Sequence, residues 1–187
     1  MALLRILIYG DERLQVKSEP VERMTPELRQ LIADMGETMY AAKGAGLAAP
    51  QVAVHQRVFV LDVNQLDDDG KKNQPHRLRV FINPEILSSS DDDAPYVEGC
   101  LSIPGVEAEV ERPARVRVRY RDEHWTPHEE DAEGLLARVV QHELDHLEGI
   151  LFVDRLGFLK RQGIAVQLRR LRKEHETICV PAELAAK

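Results

Sequence analysis

The chain has 187 residues, a formal net charge of -7 and a charged fraction of 30%, values that suit one soluble domain with a sizeable core. The acidic balance argues against nucleic acid as the main ligand, because phosphate binding needs a basic face. The sequence lacks an apolar run of about 18 residues, which a membrane-spanning helix would need. Two cysteines, Cys100 and Cys179, are too few for a disulfide scaffold and favour a reducing compartment. We therefore expect a cytoplasmic protein with no membrane contact and no specific DNA contact.

The N-terminal part of the sequence predicts a buried strand and then a helix. Residues 1–10 are apolar but lack a basic leader and a small-residue cleavage site, which favours a first strand over a signal peptide. Thr25, Pro26 and Glu27 are typical of a helix start, with a hydroxyl cap, a proline at the first position and an acid near the positive end. Gly44 is expected to end this helix. Its apolar residues recur at helical spacing, at Leu28, Leu31, Ile32, Met35 and Met39.

The middle of the chain predicts extended segments separated by polar loops. The strict alternation of Arg115–Tyr120 indicates a strand with one face in water. Further extended segments are expected at Arg57–Val63, Leu78–Ile82 and Tyr96–Ile103. Polar connections are expected at Leu66–His76, Ser88–Asp93 and His124–Asp131.

Two helices are predicted in the C-terminal third of the chain. One covers about Glu133–Leu147 and stops at Gly149, and the other covers Leu156–Lys173. Because helices flank a strand-rich centre, the predicted fold class is α+β. Mostly antiparallel β-sheets would surround a central helix, with an N-terminal and a C-terminal helix beside them. The apolar set of the central helix is Leu136, Val139, Val140, Leu144 and Leu147.

The strongest chemical signal is His142-Glu143-Leu144-Asp145-His146, inside the predicted central helix. Histidines four residues apart lie one turn apart on the same helix face, so their imidazoles can share one metal ion. Glu143 follows the first histidine directly, where its carboxylate can act as general base toward an attacking water. The competing interpretation is a chance match, in which the two histidines need no metal.

A catalytic metal site of this kind needs a third protein ligand and one open position. One large protease class takes it from a histidine six residues after the second one, but that position is Phe152 here, which cannot bind metal. The downstream acids Glu148, Asp154 and Glu174 remain candidates. Upstream, the thiolate of Cys100 is a strong ligand for a divalent metal, although a free cysteine is usually a small buried apolar residue.

Three patterns occur in a fixed order: Gly44–Gln51 reads GAGLAAPQ, Glu98–Ser102 reads EGCLS and Gln141–His146 reads QHELDH. Together they resemble the peptide deformylases, whose patterns are GxGLAAxQ, EGCLS and HExDH. The resemblance implies a metal-dependent hydrolase that removes the N-formyl group from the formyl-methionine of nascent polypeptides and releases formate. It also implies one catalytic domain over residues 1–173, followed by a C-terminal tail at 174–187. The resemblance extends to shorter segments at Asp11–Leu14, Ile82–Pro84 and Asp154–Leu156.

The resemblance also implies a role for each matching residue. Glu143 would take a proton from the attacking water and pass it to the leaving amine. The side-chain amide of Gln51 and the backbone N–H of Leu101 would stabilise the oxyanion that forms from the formyl oxygen, a large catalytic contribution in such sites. The implied metal ligands are Cys100, His142 and His146.

A substrate pocket is implied by the same resemblance. Gly46 would leave room for the substrate backbone to lie beside it as an extra strand, whereas the glycine-rich segment alone would indicate only a tight turn. Leu135 and Val139 are equally compatible with plain helix core. The residues implied to surround the methionine side chain are Gly44, Ala45, Tyr96, Glu98, Leu135, Arg138, Val139 and His142.

One divalent metal ion per chain is the expected cofactor. One thiolate and two imidazoles suit iron, zinc, nickel or cobalt, and the resemblance implies Fe²⁺ in the cell, with Zn²⁺, Ni²⁺ or Co²⁺ in a preparation. The implied partners are N-formyl-methionyl peptides and the ribosome, which would dock on the basic last helix. A solvated basic face is the alternative for that helix. Its cations are Lys160, Arg161, Arg169, Arg170, Arg172 and Lys173.

Two other functions share part of this sequence pattern. A zinc endopeptidase would also carry the two histidines and the glutamate, but Phe152 stands where its commonest third ligand would be. A non-catalytic ribosome-binding relative would keep the fold without the chemistry. The presence of all three ligands and Glu143 argues against that second alternative.

Overall fold

The structure, a computed structural model, describes residues 2–66 and 75–174. Within these residues, strands form two antiparallel sheets and helices pack around them. The combination of antiparallel sheets with several helices confirms the predicted α+β fold class. No helix in these ranges is both long and apolar enough to cross a membrane.

The first helix, α1, spans Pro26–Ala41 and begins as the sequence predicts. The Thr25 hydroxyl accepts a hydrogen bond from the Leu28 N–H at 3.2 Å, which satisfies one of the N–H groups that a helix start leaves unpaired. After α1, Lys43 turns the chain with a φ of 57°. The helix buries its predicted apolar face at Leu28, Ile32, Met35 and Met39.

The two sheets differ in size. The strand bounds are β1 Gly46–Ala48, β2 Val58–Leu61, β3 Arg79–Ser89, β4 Asp93–Gly99, β5 Glu107–Pro113, β6 Arg115–Arg121 and β7 Pro127–Glu133. The larger sheet has the order β1-β2-β3-β6-β7, and the smaller one is the β4–β5 hairpin. Strand β1 lies at the edge of the larger sheet, and β4 leads directly toward Cys100.

The prediction of a polar turn over His124–Asp131 is wrong, because β7 occupies most of it. This strand pairs along β6 with Arg117 opposite Asp131 and Arg119 opposite Glu129. Arg117 forms ion pairs with Glu129 at 2.7 Å and with Asp131 at 3.1 Å. Such cross-strand charge pairs stabilise a sheet. They do not require the alternation of apolar and polar residues by which a strand is recognised in a sequence.

The prediction of a first strand within residues 1–10 is also wrong. Ile6, Leu7 and Ile8 are buried as expected, but the described part of this segment joins no sheet. Instead, the Leu7 N–H donates to the Gln51 carbonyl at 2.7 Å and the Tyr9 N–H donates to the Ser102 carbonyl at 2.8 Å. The segment therefore ties together two loops that are far apart in sequence.

The central helix, α2, spans Gly134–Leu147 and lies between the sheets, close to its predicted bounds. Gly149 follows with a φ of 73°, the left-handed conformation in which helices commonly stop. One face of α2 packs on the larger sheet through Ala137, Val140 and Leu147. The opposite face is polar and is buried too, at Arg138, Gln141, His142, Glu143, Asp145 and His146.

The C-terminal helix is interrupted, in contrast to the continuous helix predicted over Leu156–Lys173. Helix α3 spans Phe158–Gly163 and helix α4 spans Ala165–Glu174, with Ile164 between them. Gly163 favours the interruption because glycine has a low helix propensity. Leu168 and Leu171 of α4 pack into the same core cluster as Leu7. Most of the predicted loop at 66–76, Cys179 and residues 175–187 lie outside the described residues.

Candidate metal centre

Helix α2 presents the two histidines side by side. His142 and His146 lie one turn apart, and their ring centroids are 5.1 Å from each other. Both side chains are buried. Burial holds the pKa of His146 well below its usual range. Although burial opposes it, hydrogen bonds with Cys100 and Glu98 raise the pKa of His142 to about 10.

Cys100 completes a cluster with these histidines, from the turn that follows β4. Its Sγ atom lies 3.2 Å from Nε2 of His146. One ligand atom from each of Cys100, His142 and His146 lies within 4.8 Å of the others. Sulfur and imidazole donors at this separation fit an ion such as iron, zinc, nickel or cobalt.

The downstream acids that the sequence left as candidate ligands have other partners. Glu148 pairs with Lys17 at 2.7 Å and Arg57 at 2.5 Å. Asp154 accepts the Leu151 N–H at 3.1 Å and pairs with Arg161, and Glu174 pairs with Arg170. The ring of Phe152 stacks on His142 with centroids 6.1 Å apart.

Behind His142, the Glu98 carboxylate supports the imidazole. Nδ1 of His142 lies 2.9 Å from Oε2 of Glu98. Although burial opposes it, hydrogen bonds from His142 and Arg112 lower the pKa of Glu98 to about 2. A carboxylate that binds the far nitrogen of a histidine is the usual support of a metal-ligating imidazole, so this contact also fits a metal at the cluster.

Glu143 is buried next to the cluster with spare bonding capacity. Its Oε2 atom has no hydrogen-bond partner among the described residues. Burial raises the pKa of Glu143 to about 7. Gly46 of β1 lies directly against this side chain, since a Cβ at position 46 would collide with the carboxylate. A glycine is therefore needed for β1 to approach Glu143 so closely.

Gln51 points its amide toward the same cluster. The Ala48 N–H donates to Oε1 of Gln51 at 2.8 Å, which identifies that atom as the oxygen and places the NH₂ group on the other side. Nε2 of Gln51 lies 3.1 Å from Oγ of Ser102 and 3.5 Å from Sγ of Cys100. The amide is thus held in a fixed orientation beside the sulfur.

A cavity of about 550 Å³ opens in front of these groups. Its walls come from the segment before β1, from the β4–β5 hairpin with the turn that joins its strands, and from α2. His146 is not among the residues that line the cavity. The predicted site residues along its wall are Gly44, Ala45, Gly46, Gln51, Tyr96, Glu98, Cys100, Leu101, Leu135, Arg138, Val139, His142 and Glu143.

Some contributors to the site are absent from the sequence-based prediction. Arg112 donates to both oxygens of Glu98 at 2.7 and 3.0 Å and to Asp145 at 2.7 Å. Ser102 holds the Gln51 amide. Asp145 and Ser102 stand inside the recognised patterns, which is the signal that could have found them, whereas Arg112 stands in an ordinary alternating strand.

A histidine pair on a buried helix, a glutamate between them and a third ligand from a distant loop define a metallohydrolase site. The family profile described as polypeptide deformylase matches residues 3–162. The chain belongs to the polypeptide deformylase family, whose members are hydrolases that remove the N-formyl group from new polypeptides.

Relatives and solved structures agree with this assignment over nearly the whole chain. The peptide deformylase of Bradyrhizobium sp. (strain ORS 278) is 52% identical over 174 residues, which are 92% of this chain and 98% of that protein. That of Afipia carboxidovorans is 53% identical over 173 residues, again 92% and 98% of the two chains. The crystal structure of a peptide deformylase from Legionella pneumophila is similar with a TM-score of 0.82 at 40% identity, covering 95% of this chain and 99% of that one.

Proposed function

We propose that deformylation in this chain takes place at a metal ion held by Cys100, His142 and His146. The observation that carries the proposal is the convergence of their ligand atoms within 4.8 Å of one another. Glu98 would fix the tautomer and ring orientation of His142. The chain's own residues would then perform the steps of amide hydrolysis around this centre.

Glu143 is the proposed proton carrier. When bound, a divalent metal ion polarises the formyl oxygen and lets water attack at neutral pH. The unpartnered Oε2 of Glu143 would accept the proton of that water as its oxygen bonds to the formyl carbon. As the carbon–nitrogen bond breaks, Glu143 would return the proton to the nitrogen, so that formate and a free N-terminal amine leave.

Gln51 and Leu101 are the proposed oxyanion donors. The Gln51 amide is oriented by the Ala48 N–H and Ser102, so its NH₂ group faces the sulfur before substrate arrives. The Leu101 N–H belongs to the peptide bond that follows Cys100. Donors held in place before charge develops lower the barrier without a cost of reorganisation.

The cavity is the proposed methionine pocket. Leu135 and Val139 of α2 line it, together with Tyr96, and provide apolar surface for an unbranched side chain. Strand β1 is an edge strand, so the substrate backbone can pair beside it as an added strand. Gly46 keeps that edge close to Glu143, which brings the bound formyl group to the catalytic carboxylate.

A formate-release assay with metal analysis tests this proposal. Protein purified without oxygen should contain one metal ion per chain and release formate from formyl-Met-Ala-Ser. The acetyl analogue should react about 10- to 200-fold more slowly, because one added methyl group in a closed pocket costs that much. An internally quenched peptide without a formyl group should remain intact. Cleavage of that peptide would instead identify the chain as an endopeptidase.

Iron is the proposed metal in the cell, and the cytoplasm the proposed compartment. The set of one thiolate and two imidazoles accepts Fe²⁺ as well as Zn²⁺, Ni²⁺ or Co²⁺, and the metal analysis above distinguishes them. The proposed substrates are nascent chains, which arise in the cytoplasm.

Residues 1–173 are proposed to form one catalytic domain, since Leu168 and Leu171 of α4 share a core cluster with Leu7. Residues 174–187 are proposed to form a tail.

The last helix is proposed to dock on the ribosome. Arg169, Arg170, Arg172 and Lys173 of α4 are exposed in a chain whose net charge is -7. A local basic face of this kind suits ribosomal RNA phosphates. Lys160 and Arg161 of α3 and Arg170 of α4 are less available, because they pair with Glu109, Asp154 and Glu174.

Cosedimentation with ribosomes tests the docking proposal. The double variant Arg169→Gln/Lys173→Gln should reduce cosedimentation and weaken its salt dependence, because fewer phosphate contacts release fewer counterions. Formate release from a free tripeptide should stay unchanged. The matched control is Arg117→Gln/Arg119→Gln, which removes two exposed arginines from β6 that pair with acids. Equal cosedimentation of both variants and the parent chain would exclude α4 as the docking element.

A further inference from the structure

The carboxylate of Glu98 has a further hydrogen-bond donor, Arg138, besides the His142 and Arg112 contacts described above. Oε1 accepts Nε of Arg112 at 2.7 Å and Nη1 of Arg138 at 3.1 Å. Oε2 accepts Nη2 of Arg112 at 3.0 Å and contacts Nδ1 of His142 at 2.9 Å. Glu98 is only 4% exposed, so these partners fill its bonding capacity within the protein.

Arg138 reaches Glu98 from α2, the helix that carries both histidines. It stands one turn before His142 on α2, so the two side chains lie on the same helix face and bond to opposite oxygens of Glu98. Arg138 is 6% exposed. Its guanidinium also donates to the Val110 carbonyl at 3.3 Å and to the Ala94 carbonyl. One side chain of α2 therefore holds both strands of the β4–β5 hairpin.

The hairpin has its own sheet, separate from the larger one, so its position relative to α2 depends on side-chain contacts. Arg112 to Asp145 and Gln141 to the Pro113 carbonyl join α2 to β5. Within the described residues, the α2 side chains that hydrogen-bond to β4 are Arg138 and His142. Strand β4 leads into Cys100, which supplies the sulfur.

We infer that Arg138 is a positioning residue that sets the distance between the hairpin carrying Cys100 and the helix carrying both imidazoles. The inference rests on the proposed metal site and deepens it. Arg138 also lines the cavity, and its guanidinium carbon lies 5.8 Å from the ring centroid of Tyr96. The wall of the methionine pocket and the support of the metal ligands are thus joined in one side chain.

Metal release from the loaded enzyme tests this role without an activity assay. Zn²⁺-loaded protein is mixed with excess chelator, and the rate constant of zinc release is measured. Arg138→Met keeps a long apolar side chain but removes every donor, and should release zinc about 10- to 100-fold faster, the effect usual for loss of an outer hydrogen bond at a metal site. Arg138→Lys keeps a cation that reaches one acceptor at a time and should give an intermediate rate.

Arg57→Met is the matched control. Arg57 is also a largely buried arginine, which pairs with Glu148 and donates to the Pro84 carbonyl, but it contacts neither Glu98 nor the cavity. This variant should release zinc at the parent rate even though its melting temperature falls. The comparison separates loss of local positioning from general loss of stability.

The outcomes are distinct. A parent-like release rate in Arg138→Met overturns the inference, whatever its melting temperature. If Arg138→Met does not fold, Arg138→Lys decides: faster release supports the inference and unchanged release overturns it. Failure of the proposed metal site looks different, because the parent protein itself would then hold no zinc or would hold it equally well as Cys100→Ser.

Discussion

Replacing Glu143 with glutamine should lower kcat/KM for formyl-Met-Ala-Ser by about 10²- to 10⁴-fold, the range expected for loss of a general acid–base group. Glutamine has nearly the same shape but cannot accept the proton of the attacking water. Because Glu143 is not among the proposed metal ligands, the variant should keep one metal ion per chain. Its melting temperature should not fall, since Oε2 of Glu143 has no hydrogen-bond partner to lose among the described residues.

Glu148→Gln is the control for Glu143→Gln. Glu148 follows the same helix and forms ion pairs with Lys17 and with the largely buried Arg57, away from the cavity. It should change kcat/KM by less than about twofold, since Glu148 touches no group that takes part in proton transfer. A Glu143→Gln enzyme with parent-like turnover and full metal content would rule out Glu143 as the proton carrier.

The geometry of the two histidines could be predicted from sequence because it is local. A spacing of four residues on a helix fixes where His142 and His146 lie relative to each other, and Glu143 follows from the same periodicity. The third ligand is different, since Cys100 stands 42 residues before His142 in the chain. Local pattern alone leaves Glu148, Asp154 and Glu174 as candidates, although the spacing of Glu148 points it off the ligand face. The resemblance to a family is needed to choose the cysteine.

The predicted apolar face of α2 is only one of the two helix faces that are buried. Leu147 and Val140 are buried as expected, but Arg138, Gln141 and Asp145 are buried as well. A polar helix face ordinarily indicates contact with water. Here the polar face bonds to the β4–β5 hairpin, and nothing in the periodicity distinguishes a solvated charge from a charge with buried partners.

Strand β7 and the N-terminal segment were mispredicted for related reasons. In β7 the stabilising contacts are ion pairs with Arg117 of the neighbouring strand. The sequence of β7 alone therefore does not reveal them. In the N-terminal segment, the backbone groups of Leu7 and Tyr9 bond to Gln51 and Ser102 rather than to a sheet. Both cases depend on long-range pairing, which a single sequence does not encode locally.

Replacing Cys100 with serine should remove the metal ion. A serine hydroxyl is a far weaker ligand than a thiolate for iron or zinc, so only the two imidazoles would remain. Metal affinity should fall by more than the about 10- to 100-fold that loss of an outer hydrogen bond costs, and formate release should fall with it. Metal analysis after gel filtration, together with the formate assay, measures both effects on the same sample.

Cys179→Ser is the matched control, because it removes the only other thiol of the chain and should leave metal content and turnover unchanged. Cys100→Asp offers a graded case: a carboxylate restores a charged ligand, so it should hold more metal than the serine variant. A Cys100→Ser protein that still binds one metal ion and releases formate at the parent rate would show that the ion lies elsewhere. The 3.2 Å contact between the sulfur and His146 would then have no part in catalysis.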